Sequence, residues 1–254
     1  MLLTNDDGYE SEGIRVLKQL IRKFTNEVTI LCPKKDQSGA SHRISISNEI
    51  EVEKINSKYY IVAGSPVDCV LLGINKILLE NKKPNFLFSG INLGANLGYD
   101  IYYSGTVAAA LEGSLNGIKS IALSITKNEK KNTFEWSSIK KYGSIIIEKL
   151  LKMDWNPEYY LNINFPNIKS DNIRGIKFTK RGTSKPGSFI QTLDKENKIA
   201  RYQIKTDRIA NEIDKRENID SFEVSNNYIS ICLLSVNDVS EDAYRKFKRD
   251  YDSL

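Results

Sequence analysis

The first half of the chain alternates short apolar runs with segments in which apolar residues recur every three or four positions. Leu2 and Leu3 form the first apolar run. The residues after it place these apolar side chains on one helical face: Ile14, Leu17, Leu20, Ile21 and Phe24. Such spacing predicts an amphipathic helix that packs against a sheet. The chain therefore begins in strand-then-helix order.

The same alternation continues as far as Phe165. Further strands are predicted at residues 28–31, 60–63, 85–89 and 120–125, and further helices at residues 106–115 and 136–151. Another helix is predicted from Pro66, because Ser65 is a favourable N-cap and Asp68 a suitable capping-box partner. Strands that alternate with helices predict a mainly parallel sheet. We expect a three-layer, Rossmann-like α/β fold with helices on both faces of that sheet.

The pattern changes after Pro166 to polar, turn-rich segments. Hairpin strands are predicted at Thr183–Gln191 and Arg201–Ile204, a late strand at Asn227–Leu234, and a charged helix at Ala243–Tyr251. We therefore divide the chain into an α/β core at 1–170, a hairpin-rich appendage at 171–225, and a late strand with a C-terminal helix at 226–254.

Composition and charge indicate an ordinary globular protein that attracts phosphate. Hydrophobic residues make up 40% of the chain and charged residues 27%. The 37 Lys and Arg exceed the 32 Asp and Glu, which gives a net charge of +5. A mild positive potential attracts phosphate-bearing ligands. The basic residues form no run interleaved with aromatic residues, so we expect no stable nucleic-acid complex.

Cysteine and histidine usage limits the chemistry. Cys32, Cys69 and Cys232 are far apart, which argues against a disulfide framework. With no leader-like or membrane-spanning run, we expect a cytoplasmic protein that is neither secreted nor inserted. His42 is the single histidine, which excludes a two-histidine metal site. Any metal must therefore be held by oxygens, which favour Mg²⁺, Mn²⁺ or Ca²⁺.

Small polar residues follow the predicted strands, where ligands bind in open parallel sheets. Asp6 and Asp7 follow the first strand, and adjacent carboxylates are favourable mainly around a shared cation, although an Asx turn or the approach to a helix is an equally good interpretation. The loop at 36–42 follows the second strand, and taken singly it is better interpreted as a plain flexible connection. The loop at 89–98 contains three glycines that would let backbone N–H groups approach an anion, but it lacks the Lys of a phosphate loop.

Ser104-Gly105-Thr106 precedes the Ala-rich helix, where free N–H groups and the helix dipole attract phosphate. A simple N-cap would use the same residues. All four loops are expected at one edge of the sheet, so the carboxylates and the anion-binding amides should converge there.

The sequence resembles that of the SurE survival-protein phosphatases, which are metal-dependent nucleotidases of α/β fold. The resemblance rests on five ordered motifs: Thr4-Asn5-Asp6-Asp7-Gly8, Ser38-Gly39-Ala40-Ser41, Gly64-Ser65-Pro66-Val67-Asp68-Cys69, Ser89-Gly90-Ile91-Asn92-Leu93-Gly94-Ala95-Asn96 and Ser104-Gly105-Thr106-Val107-Ala108-Ala109-Ala110-Leu111-Glu112-Gly113. Leu161-Asn162-Ile163-Asn164-Phe165-Pro166 extends it into the second half of the chain.

The resemblance implies roles for particular residues. The implied ligands of one divalent cation per subunit, Mg²⁺ or Mn²⁺ with Ca²⁺ as an alternative occupant, are Asp6, Asp7, Ser38 and Asn92. The implied phosphate contacts are Asn96, Ser104, Gly105 and Thr106. It also implies a homodimer or homotetramer in which residues around 185–254 are dimerisation elements and the late strand and helix at 226–254 are exchanged between subunits.

We therefore expect hydrolysis of nucleoside 5′-monophosphates, with 3′-monophosphates as an alternative, in which Asp6 and Asp7 are the catalytic residues. His42 is a candidate proton donor to the leaving oxygen, or a residue that only packs or caps its loop. One rival hypothesis is a phosphohydrolase acting on RNA ends or polyphosphate. The other is a non-enzymatic nucleotide-binding module, against which the unshielded carboxylates of Asp6 and Asp7 argue.

Overall fold

A nine-stranded mixed sheet forms the centre of the protein. The computed structural model describes residues 1–78, 83–127, 133–184, 187–196, 199–207, 216–237 and 241–252. The strands are β1 Leu2–Thr4, β2 Thr29–Pro33, β3 Val52–Asn56, β4 Tyr59–Val62, β5 Phe86–Leu93, β6 Lys119–Ile125, β7 Tyr159–Phe165, β8 Gly175–Thr179, β9 Gly187–Glu196, β10 Ile199–Asp207 and β11 Tyr228–Ser235. The α-helices are α1 Glu12–Ile21, α2 Pro66–Leu72, α3 Gly105–Leu115, α4 Ser144–Lys152, α5 Asp220–Ser225 and α6 Glu241–Asp252.

The order of the sheet is β3-β4-β2-β1-β5-β6-β7-β11-β8, and β9 pairs with β10 in a separate two-stranded sheet. Six consecutive strands of this order are parallel to one another: β4, β2, β1, β5, β6 and β7. The strands β3 and β11 are antiparallel to their neighbours β4 and β7. The expected α/β fold and its C-terminal hairpin are thus confirmed.

Alternating side chains on the central strands bury both faces of the sheet. Leu3 packs into a core shared with α1 and α4, whereas its neighbour Leu2 packs against α2 and α3. This alternation follows from the two-residue period of a strand. In α1 the predicted apolar face is buried through Ile21, and Phe24 packs against the same core just beyond the helix end.

Several local features differ from the sequence prediction: β8 and α5 were not predicted, and the helix predicted at 136–151 is a π-helical turn at Ile139–Gly143 followed by α4. The strand β3 was not predicted, because all five of its residues are exposed at the edge of the sheet. The strand β5 continues through Leu93 instead of ending at Ser89, so Asn92 lies within a strand. A short 3₁₀ turn at Gly98–Tyr102 leads into α3.

The region predicted to be an appendage contributes to the central sheet. The strand β8 lies at its edge beside β11, to which it is parallel. Among the described strands, β9 and β10 alone lie outside that sheet. Within the part of the chain that the structure describes, no helix has the length and apolar character needed to cross a bilayer.

Candidate active site

Asp6 lies where β1 ends and α3 begins. Its side chain is buried, and Thr106 donates to both of its oxygens, through N–H at 3.1 Å from Oδ2 and through its hydroxyl to Oδ1. The approach is close because residue 105 is glycine: a Cβ there would lie 3.0 Å from the Cβ of Asp6. The first turn of α3 and the end of β1 are thereby joined into one site.

Asp7 is half-buried and accepts a hydrogen bond from the N–H of Leu93, 3.1 Å from its Oδ2. Burial and then the charge of Asp6 raise the pKa of Asp7 to about 7. Burial also raises the pKa of Asp6, against the opposing effect of the two Thr106 donors. The protein alone therefore disfavours two charged carboxylates here, which is the situation that a shared cation relieves.

The loop after β2 is attached to this pair through the backbone of Asp6. The N–H of Gln37 donates to the carbonyl oxygen of Asp6 at 2.8 Å, so Ser38 follows directly after a residue anchored to the site. The backbone N–H and hydroxyl of Ser38 donate to Oδ1 of Asp36, at 2.8 and 2.6 Å. The charge of Asp36 contributes to the raised pKa of both Asp6 and Asp7.

Asn92 borders the site through β5. It precedes Leu93, the residue whose N–H holds Asp7, and its own Nδ2 donates to the carbonyl oxygen of Gly94 at 2.7 Å. That bond uses the nitrogen end of the amide, which leaves Oδ1 as the end suited to a cation.

The donor set fits a hard divalent cation. Among the described residues, no group of three or more His, Cys, Asp or Glu side chains is arranged to hold a metal. A cation at the Asp6–Asp7 pair would therefore be completed by neutral oxygens such as those of Ser38 and Asn92. Carboxylate, hydroxyl and amide oxygens with water are the ligands that Mg²⁺ and Mn²⁺ accept.

Asn96 is held in a buried network of amides. Its N–H donates to Oδ1 of Asn164 at 2.8 Å, and its Nδ2 donates to the hydroxyl of Ser124 at 2.9 Å. Its carbonyl oxygen accepts from Nδ2 of both Asn162 and Asn164, at 2.8 and 3.1 Å. Nδ2 of an amide carries two hydrogens, so one remains for a ligand.

Ser104 is the N-cap of α3. Its hydroxyl oxygen accepts from the N–H of Val107 at 3.1 Å, and both Ser104 and Thr106 are buried. The hydroxyl of Ser104 keeps its hydrogen for donation. The simple N-cap and the anion-binding helix start are therefore compatible interpretations of the same residue.

His42 contacts α3 beyond the helix start that holds Asp6. Its Nε2 is 2.8 Å from Oε2 of Glu112, which is six residues beyond Thr106 and so about 9 Å along the helix axis. This contact joins the loop after β2 to the middle of α3.

Comparison with known proteins assigns the family. The family model described as "Survival protein SurE" matches residues 1–188. A relative described as 5′-nucleotidase SurE from Chelativorans sp. is 33% identical over 247 residues, which covers 96% of each chain. The chain belongs to the SurE family. Another 5′-nucleotidase SurE, from Paramagnetospirillum magneticum, is 40% identical over 190 residues, 75% of this chain and 72% of the relative.

The same family is found among solved structures. The crystal structure of the SurE protein from Aquifex aeolicus superposes with a TM-score of 0.84 at 34% identity, and the match covers 99% of both chains. The fold described above is therefore the SurE fold over nearly the whole chain.

In this SurE-family site, the residues that form hydrogen bonds to the predicted site residue Asn96 were not identified from the sequence. Ser124, Asn162 and Asn164 support Asn96 from β6 and β7, and they carry no ligand-binding motif of their own. One signal was available: two asparagines alternate along the otherwise apolar strand β7. Buried amides need partners, so this alternation predicts a buried polar network on one face of the strand.

Proposed function

We propose that the chain hydrolyses nucleoside 5′-monophosphates to nucleoside and phosphate with the aid of one divalent cation. The observation that carries this proposal is the contact of Asp6 with Thr106. It joins an adjacent pair of carboxylates, suited to a cation, to a helix start, suited to a phosphate. The relatives described as 5′-nucleotidases support the choice of substrate.

Asp6, Asp7, the hydroxyl of Ser38 and Oδ1 of Asn92 would hold the cation. When bound, Mg²⁺ or Mn²⁺ polarises a phosphoryl oxygen and lowers the pKa of a water molecule. The two bonds from Thr106 fix both oxygens of Asp6, which favours a ligand role over direct attack on phosphorus. Asp7 is the less buried carboxylate, so it is the better placed to take a proton from attacking water.

The phosphate is bound at the start of α3. The remaining N–H of Asn96, the hydroxyl of Ser104 and the backbone N–H of Gly105 would donate to its oxygens. Their contribution increases as negative charge develops in the transition state, when the bond to the leaving oxygen lengthens. In this mechanism His42 anchors its loop through Glu112 and donates no proton to the leaving group.

We also propose a cytoplasmic homodimer or homotetramer. All three cysteines are buried and unpaired, which suits a reducing compartment. The hairpin β9–β10 exposes apolar side chains that a second copy of the chain would cover.

Phosphate release after complete removal of cations tests the proposed function. Dialysis against EDTA is expected to abolish hydrolysis of nucleoside 5′-monophosphates, and added Mn²⁺ or Mg²⁺ to restore it. Asp7→Asn should stay inactive at saturating cation, whereas Asp154→Asn, at a side chain 98% exposed, should retain wild-type turnover.

Full activity of protein shown to be free of metal would contradict the cation mechanism. Nucleoside 3′-monophosphates, short RNA with terminal phosphates and polyphosphate belong in the same panel. Faster release from RNA ends or polyphosphate would favour the rival phosphohydrolase. Nucleotide binding without phosphate release from any member would favour a binding module.

A further inference from the structure

A buried carboxylate outside the catalytic pair connects three separate segments of the chain. Asp220, the first residue of α5, is fully buried. Its Oδ1 accepts from the backbone N–H of Gly182 at 2.9 Å and of Ser221 at 2.7 Å, and its Oδ2 accepts from the N–H of Gly98 at 2.9 Å. One side chain therefore joins α5 and the segment after β8 to the loop that follows β5.

The loop after β5, which Asp220 contacts at Gly98, connects candidate phosphate contacts. Gly98 lies two residues after Asn96, and the 3₁₀ turn that it begins ends just before Ser104. The N–H of the next residue, Tyr99, donates to the carbonyl oxygen of Ser184 at 2.8 Å. The consecutive backbone N–H groups of residues 98 and 99 are thus held by Asp220 and Ser184.

The contact at Gly98 is too close for any larger residue. Its φ is +54°, and a Cβ built on it would lie 2.5 Å from the carbonyl oxygen of Ser184. Arg181 adds to the same contact, because its guanidinium group lies 5.2 Å from the ring centres of both Tyr99 and Tyr102. Residues 181–184 therefore cover the turn between the predicted phosphate contacts Asn96 and Ser104.

The chemistry of Asp220 suits a fixed acceptor. Burial raises the pKa of its carboxyl group, and the three backbone N–H donors and the nearby charge of Arg181 offset only part of that rise. Hydrogen bonds to an ionised acceptor are shorter and stronger than bonds between neutral groups. No neutral side chain of the same shape could accept all three, because the amide of asparagine would direct N–H groups at one of the donors.

We propose that Asp220 is a positioning residue for phosphate-ester hydrolysis. It fixes Gly98, and through the turn at Gly98–Tyr102 it sets the distance between Asn96 and Ser104. This inference rests on the proposed function. A displacement of about 1 Å in groups that orient a substrate lowers the rate by about a hundredfold, so loss of the Asp220 contact should be visible in kinetics.

The test compares Asp220→Asn with Glu223→Gln. Glu223 is a second buried carboxylate of α5, but it accepts from Lys177 at 2.8 Å and from the N–H of Asn218 at 2.9 Å, away from the loop. Kinetics on a nucleoside 5′-monophosphate with Mn²⁺ should show kcat/KM about 10- to 100-fold lower in Asp220→Asn, with most of the loss in kcat. Glu223→Gln should lower the Tm yet keep kcat/KM within about threefold of the wild type.

Hydrogen exchange provides a readout that does not depend on activity. Backbone amides of residues 94–103 should exchange faster in Asp220→Asn and at the wild-type rate in Glu223→Gln. Gly98→Ala disturbs the same turn from the loop side, because its Cβ would lie 2.5 Å from the carbonyl oxygen of Ser184, so it should reproduce the kinetic loss even if Asp220→Asn fails to fold. If the wild type releases no phosphate, the proposed function fails, and exchange alone decides whether Asp220 holds the loop.

Two results would overturn the positioning role. One is wild-type kcat/KM, or unchanged exchange at 94–103, in folded Asp220→Asn or Gly98→Ala. The other is an equal loss of kcat/KM in Glu223→Gln, because any buried carboxylate of α5 would then have the same effect.

Discussion

Thr106 is predicted to contact phosphate, and in the structure both its N–H and its hydroxyl donate to Asp6. A side chain predicted to bind the anion is therefore a direct neighbour of a predicted cation ligand. A change at Thr106 should consequently affect both cation binding and catalysis, although sequence alone suggests that the two can be separated.

Thr106→Val removes one hydroxyl and keeps the shape of the side chain. A hydrogen bond to a charged group is typically worth about 1.5–3 kcal/mol, which corresponds to about a ten- to hundredfold loss of kcat/KM. Because the lost donor faces Asp6, calorimetric titration should also show a changed Mn²⁺ affinity. Thr106→Ser retains the hydroxyl and should stay within a few-fold of the wild type in both measurements. Unchanged Mn²⁺ affinity in the valine variant would mean that the cation displaces this bond.

At this scale the sequence identifies the types of residue in the site but not their contacts. The motifs select Asp6, Asp7 and Thr106. Their spacing does not reveal that Thr106 contacts Asp6, from which it is separated by 100 positions in the sequence. Long-range contacts depend on the order of strands in the sheet. Asp220 was missed for the same reason, because its partner Gly98 is 122 residues away and Asp220 belongs to no ligand motif.

Elements are predicted well where one local pattern controls them. The helix α2 begins as predicted, with Ser65 and Asp68 forming a capping box. The strand β3 has no apolar alternation to detect, since it pairs at an exposed edge. The strand β5 was predicted too short because Gly90 and Asn92 favour loops locally, whereas in the structure pairing with β6 resumes at Asn92 after an irregularity that follows Ser89.

The contact between His42 and Glu112 links two elements, the loop after β2 and α3. Hydrogen bonds from His42 and Asn116 lower the pKa of Glu112 in the folded protein. The folded state therefore binds fewer protons near the ordinary glutamate pKa than the unfolded state does. Its stabilising contribution is present above that pKa and is lost as the pH falls through the lowered one.

Glu112→Gln and His42→Gln test this link. Denaturant unfolding at pH 7 should show each variant about 1–3 kcal/mol less stable than the wild type. For Glu112→Gln this difference should shrink at pH values below the lowered pKa. Turnover of a nucleoside 5′-monophosphate by His42→Gln should stay within about threefold of the wild type, since loss of a general acid typically costs at least about a hundredfold. A loss of that size would restore the proton-donor role of His42.

On the scale of the whole molecule, the hairpin β9–β10 is the part that the central sheet does not explain. A two-stranded hairpin alone is at best marginally stable in water. Ile190 and Ile204 are paired across its strands and are 69% and 73% exposed, and Tyr202 on the same face is 57% exposed. Such a face is expected to be covered by another subunit. Truncation near Thr183 would be a poor test, since it also removes β11 from the central sheet.

The double variant Ile190→Ser, Ile204→Ser changes only that face. We expect light scattering to show an oligomer of at least two chains for the wild type and a monomer, or a much weaker dimer, for the variant. Each isoleucine that becomes buried contributes about 1.5–3 kcal/mol to association, so two isoleucines per chain are enough to shift the equilibrium by orders of magnitude.

Gln191 and Gln203 form the adjacent cross-strand pair, which alternation places on the opposite face of the hairpin, so Gln191→Ser, Gln203→Ser is the matched control. The control should remain oligomeric. If both double variants keep the wild-type mass, the isoleucine face is not the contact between subunits, and a monomeric wild type would exclude the proposed assembly altogether.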